Sequence, residues 1–246
     1  MRIVSLVPSQ TELLHDLGLE NQIVGVTKFC VHPEHYKSTK MRVGGTKQIN
    51  INKIKALKPD IILCNKEENT KEIVETCQQI CKVHVSDLYT INDTLDLITF
   101  YGQEFNKEVK ARQIIDKIKE LQLDFENFIA QKEIVKVAYF IWRDPWMVAA
   151  NNTFIDYMLK LNKFKNVYNN LERYPEVDIT KMEQDVNPDV ILLSSEPYPF
   201  KEEHVLELQK YSNRAKIIFV DGEIFSWYGS RLLKAFDYFK MLRARL

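Results

Sequence analysis

The chain has 246 residues, 45% hydrophobic and 28% charged, enough to bury one large core or two modest ones. Lys plus Arg and Asp plus Glu each number 34, so the formal net charge is zero and there is no electrostatic footprint for nucleic acid or an anionic membrane. No window holds 18 consecutive apolar residues, so no segment reads as a membrane-spanning helix. The N-terminus, MRIVSLVPS, enters an apolar run without a basic leader region or a cleavage site. The expected location is the cytoplasm as written, or the periplasm if a leader has been removed. Cys30, Cys64, Cys77 and Cys81 form no disulfide pattern and read as reduced, mostly buried thiols.

In chain order, 2–7 (RIVSLV) reads as a buried strand. Ser9 and Glu12 are spaced as a capping box, and Leu13, Leu14 and Leu17 give the helix after it an apolar face. Residues 22–27 form a second strand. Residues 29–35 (FCVHPEH) and 41–46 (MRVGGT) read as loops, the second a turn at Gly44-Gly45-Thr46 and no phosphate loop. A short helix at 50–57 precedes Pro59-Asp60 and the strand 61–64. A helix at 69–80, a strand at 82–86 and a helix at 92–101 follow.

Residues 105–132 contain no Gly or Pro, and apolar side chains recur every three or four positions from Val109 to Ile129. The spacing predicts one long helix of roughly 40 Å, long enough to join two bodies. Beyond it come a strand at 135–141, a loop Trp142-Arg143-Asp144-Pro145-Trp146 and helices at 153–161 and 180–186. Then come a strand at 190–193, a helix at 202–211, a strand at 216–220 and a closing helix at 229–243. Alternating strands and helices predict an α/β fold with parallel sheets.

The two halves repeat. KPDIILCNKE (58–67) matches NPDVILLSSE (187–196) at a spacing of 129 residues, and KVHVSD (82–87) matches KIIFVD (216–221) at a spacing of 134. A strand–helix–strand unit therefore occurs twice, five residues longer in the second copy. The expected organisation is an N-terminal α/β lobe at 1–104, a connecting helix at 105–132 and a C-terminal α/β lobe at 133–246. Parallel sheets take ligands at the C-terminal ends of their strands, and interfaces between domains are favoured pocket sites.

Three stretches, RIVSLVPSQTELLHDLGLENQIVGVT, INKIKALKPDIILC and SWYGSRLLKAFDYF, resemble the helical-backbone (class III) periplasmic substrate-binding proteins, nearest their cobalamin- and iron-siderophore-binding branch. The resemblance covers nearly the whole chain. It implies two Rossmann-like parallel-sheet lobes on one backbone helix and no intrinsic cofactor. It also implies a metal-chelate ligand (cobalamin, haem or ferric siderophore) in the cleft between lobes, and an ABC transporter permease as partner. A monomer is expected. In that family an acidic residue on each lobe docks on the transporter's arginines; here the candidates are Glu68 or Glu72 and Glu202 or Glu203.

Loops after strands supply the candidate ligand-binding residues: Phe29, Trp142, Arg143, Trp146, Tyr198, Trp227, Tyr228 and Arg231. Flat ligands suit aromatic faces, and Arg143 and Arg231 either grip an anionic group or lie solvated on the surface. Phe200 reads as core. Cys30, His32 and His35 are metal-ligand types at close spacing, in a loop that is either a metal site or simply polar. Ser9-Gln10 at a helix start reads either as an anion site or as a cap. A binding receptor is the leading function. The alternatives are a cytoplasmic sensor or interaction protein of the same fold and a chelatase-like metalloenzyme, although no nucleophile–base pair or catalytic carboxylate pair is evident.

Overall fold

Each Pro-Asp pair precedes a five-residue strand that is buried throughout, as expected for the centre of a parallel sheet covered on both faces. The computed structural model describes residues Met1–Leu246 and resolves them into two units.

The first unit comprises Met1–Ile118 and Trp227–Leu233. Its strands are β1 (Ile3–Ser5), β2 (Ile23–Val26), β3 (Met41–Arg42), β4 (Ile61–Asn65) and β5 (Lys82–Ser86), in the all-parallel order β3-β2-β1-β4-β5. The helices are α1 (Pro8–Asp16), α2 (Tyr36–Thr39), α3 (Ile51–Leu57), α4 (Lys71–Gln78) and α5 (Ile91–Glu104). Val4, Leu6, Ile62 and Cys64 of the sheet region pack with Ile73 and Cys77 of α4. All four cysteines are free; three are buried and Cys81 is half-buried. The neighbouring Cys77 thiol and burial push the Cys64 thiol up, so it stays protonated.

α6 (Glu108–Ala130) is unbroken, and the division between the units falls inside it, after Ile118. It starts three residues later than the apolar period suggests. α5 runs on to Glu104, and Asn106 then takes a left-handed backbone (φ 54°) that ends it. Gly102 makes room for the start of α6: a Cβ there would lie 2.6 Å from the Ala111 Cβ.

The second unit comprises Lys119–Ser226 and Lys234–Leu246. It contains β6 (Val135–Trp142), β7 (Met147–Val148), β8 (Phe164–Asn166), β9 (Val190–Ser194) and β10 (Lys216–Val220). The order is β10-β9-β6-β7, with β8 also on β6; every pairing is parallel except the β6–β7 hairpin. Its helices are α7 (Phe154–Leu161), α8 (Met182–Asp185), α9 (Glu202–Gln209), α10 (Gly222–Ser226) and α11 (Leu232–Ala244). Phe125 of α6 packs against Phe236 and Phe239 of α11.

Two local expectations are corrected. Ser9 is not the N-cap of α1. Pro8 occupies the first helical position, Val7 precedes it without a side-chain cap, and Glu12 serves elsewhere. Arg231 lies in a short 3₁₀ turn (Gly229–Arg231) before α11, and residues 227–233 pack with the first unit although their neighbours in sequence belong to the second. Gly229 adopts φ +89° with its Cα side against Leu13 of α1, a backbone that a side chain rarely accepts.

Candidate functional site

In the first unit the strand ends carry a buried polar network. Gln10, in the first turn of α1, donates from Nε2 to Ser86 Oγ (2.6 Å) and to the Tyr228 hydroxyl (3.0 Å). Its Oε1 accepts from the Tyr101 hydroxyl (2.6 Å). Asn65 Nδ2 donates to the Ser86 carbonyl (3.0 Å) and hydroxyl (3.1 Å), and Asn69 Nδ2 donates to the Thr46 carbonyl (2.9 Å). Burial raises both phenols, Tyr101 and Tyr228, well above the usual tyrosine range, so they stay neutral donors. Ser9-Gln10 is thus committed to the protein's own network.

Arg231 is buried beside that network. Its Nε lies 2.9 Å from Glu12 Oε2, each side chain being 7% exposed. Its guanidinium sits 4.9 Å from the centre of the Trp227 ring, and Trp227 meets His32 edge-on at 5.6 Å. The Glu12 carboxylate offsets the charge of this buried guanidinium. Trp227 and Tyr228 are buried as well, each 7% exposed. Phe29 is 48% exposed, with the Lys28 ammonium 4.9 Å from its ring centre.

The Cys30-His32-His35 loop does not form a metal centre. Cys30 points inward to the hydroxyls of Thr11 (3.1 Å) and Thr27 (3.2 Å), and burial pushes its thiol up. His35 instead bonds Glu20 (2.6 Å), while His32 faces Trp227. No three His, Cys, Asp or Glu side chains are arranged to hold a metal ion.

In the second unit Trp142 ends β6 at 38% exposure and meets the half-buried Tyr198 edge-on at 5.5 Å. His204 Nδ1 accepts from the Lys201 amide (2.8 Å), which leaves its Nε2–H to donate to the Tyr198 hydroxyl (3.0 Å). Trp146 is buried and stacks on Phe200 at 5.8 Å and 11°, so both belong to the core. Arg143 lies over Trp146 and forks onto both oxygens of Glu207 (3.1 Å each), with Asp144 as a further partner. Arg143 is thus paired within the second unit. Nothing in the sequence marks Glu12, Glu207 or His204 as partners, because each bond is set by tertiary packing.

The acidic candidates divide. Glu68 is half-buried, and burial pushes its carboxyl up. Glu72 is exposed in the first turn of α4, where its own backbone N–H and Thr70 hold its carboxyl below the usual range. Glu202 and Glu203 are exposed in the corresponding turn of α9.

The family model of the periplasmic binding proteins matches residues 3–214. The chain belongs to this family. One relative, an uncharacterized ABC transporter substrate-binding lipoprotein (YvrC) of Bacillus subtilis, is 29% identical over 174 residues, covering 67% of this chain and 54% of its own. Vitamin B12-binding protein of Vibrio cholerae is 26% identical over 186 residues, 74% of this chain and 66% of its own. These matches therefore span roughly half to two thirds of the relatives' length. The structure of S. aureus IsdE complexed with heme superimposes with a TM-score of 0.82 at 21% identity, over 99% of this chain and 97% of that one, and so shares the fold. No helix is long and apolar enough to cross a membrane.

Proposed function

We propose that this chain is the substrate-binding receptor of an ABC transporter and that its ligand is a metal chelate of the cobalamin, haem or ferric-siderophore kind. The observation that carries the proposal is family membership together with relatives named as an ABC transporter's substrate-binding lipoprotein and as a vitamin B12-binding protein. The exposed rings at strand ends, Phe29 in the first unit and Trp142 in the second, are each the kind of face that a flat ligand stacks on. Glu72 and the Glu202–Glu203 pair stand at matching helix starts and are the residues offered to a permease's arginines. Relatives described as periplasmic or as a lipoprotein favour action outside the cytoplasm.

Titration with cyanocobalamin, haemin and a ferric hydroxamate, read by tryptophan fluorescence, tests the ligand class. Quenching by one of them is expected, and Trp142→Ala should weaken that binding by about tenfold, the share of a partly buried aromatic (about 1.4 kcal/mol). Absence of quenching by all three at about 100 μM, which would reveal even modest affinity, overturns the chelate reading.

A further inference from the structure

Tyr168 follows β8 in the second unit, where it is only 6% exposed. Its backbone N–H bonds Asn166 Oδ1 (3.1 Å), but its hydroxyl has no hydrogen-bond partner in the protein. It lines a cavity of about 220 Å³ with apolar walls from Leu171 and Met182. Glu176, Asp178 and Asp185 bring three carboxylates to the same cavity, against the single ammonium of Lys181. Burial first, and then Asp185 and Asp178, push the phenol up to about 12, so it is neutral and stands within reach of their field.

The cavity is held open by its backbone. Val177 N–H bonds the Trp146 carbonyl (2.9 Å), Val148 N–H bonds the Pro175 carbonyl (3.2 Å), and Glu176 bridges Met147. Asp178 is fixed through Oδ1 by the Thr180 amide (3.0 Å) and hydroxyl (2.6 Å). Its other oxygen has only a loose contact with Lys181 at 3.9 Å, and that lysine side chain is 64% exposed. A long, solvated pair of this kind is worth little and yields to a better-placed cation.

The carboxylates surround the cavity rather than converging on a point, and no metal-binding arrangement exists here. A volume several times the roughly 30 Å³ share of one water, yet below the usual 300–1,000 Å³ of drug-sized pockets, suits a small organic group. We propose that this cavity binds a primary ammonium on a short aliphatic chain. The chain lies along Leu171, Met182 and the Tyr168 ring. The ammonium replaces Lys181 among the carboxylates and donates to the Tyr168 hydroxyl. A free alkylamine and a lysine side chain of a partner protein share this chemistry.

NMR titration of the full chain at low salt tests the site, with n-butylammonium chloride, neutral n-butanol and Nα-acetyl-lysine methylamide as probes. The ammonium should shift resonances of Tyr168, Lys181 and their neighbours, while butanol should not. Asp185→Asn and Tyr168→Phe should each weaken binding about threefold, and Lys181→Met should tighten it by a similar factor, because an internal competitor is lost. Thermal unfolding of each variant confirms that it folds; Lys181 and Asp185 are exposed, so those two arms stand even if Tyr168→Phe is unstable. Equal binding of the lysine derivative supports a partner's side chain, and binding of butylammonium alone supports a free amine. Equal shifts from butanol, no response to either cation, or no tightening in Lys181→Met overturns the proposal.

Discussion

The two copies of the strand–helix–strand unit share a frame and differ in what is mounted on it. In the first, the Asp60 carboxylate accepts the Arg2 amide (2.6 Å) while the Asp60 amide donates to the Arg2 carbonyl (2.8 Å). In the second, Asp189 makes the same pair with Lys136 (2.9 and 2.8 Å). The residue before each proline, Lys58 or Asn187, takes a left-handed backbone, at φ 46° and 40°. Register is conserved too: Ile61 pairs with Lys82 as Val190 pairs with Lys216. Pro-Asp is therefore a clamp that fastens the start of one strand to its neighbour, which explains its recurrence. At the other end of the strands the copies diverge. Asn65 ties to Ser86, whereas Ser194 accepts from the Tyr139 hydroxyl (3.1 Å) and donates to the Glu196 carbonyl (2.6 Å). The repeat therefore holds at the end that builds the sheet and diverges at the C-terminal ends of the strands.

The contrast breaks most easily at its most expensive fitting. Glu12→Ala strands the buried Arg231 guanidinium, and urea denaturation should report a loss of about 3–5 kcal/mol. A loss below about 1 kcal/mol would mean that residues 227–233 are fastened by something else. Next come the clamps. Asp60→Ala and Asp189→Ala should each cost about 1–2 kcal/mol, the usual range for a partly solvated charged hydrogen bond. Equal costs sharpen the idea of a shared frame, and a gap well above 1 kcal/mol would undo it.

Much of that frame could be read from residue order alone. Pro-Asp ahead of a five-residue apolar run appears twice, and the three–four stripe of α6 is uninterrupted. The short strands could not be read this way. β3 and β7 have two residues each and β8 has three, too few to establish a period, and they exist because an open sheet edge lies beside them. The start of α6 was obscured because Asn106 looks like an ordinary polar residue until its backbone turns left-handed. Among the candidate residues, the placement of Phe29 after β2 and of Trp142 at the end of β6 was visible in the order of elements. The fates of Arg143 and Arg231 were not, since their carboxylates, Glu207 and Glu12, are remote in sequence.

The smallest effect tests the divergent end. Burial raises the Glu68 carboxyl above its ordinary 4.5, so its charged form costs the folded chain stability at neutral pH. That cost fades as pH falls through the raised value and is gone below 4.5, where the unfolded carboxyl is protonated too. Glu68→Gln should accordingly stabilise the chain slightly at pH 7 and make no difference at pH 4. Thermal melts at the two pH values decide it, and a variant destabilised at pH 7 would show that the charge is used where it stands.

The cysteines have a practical consequence. Cys30, Cys64 and Cys77 are sealed in the interior, and only Cys81, just past α4, reaches the surface. The native sequence thus carries a single addressable handle for a dye or spin label. Burial and the neighbouring Cys77 and Asp60 raise its thiol, so coupling will be slow near neutrality and fast in mild alkali. One reporter can be attached to the first unit without removing any residue.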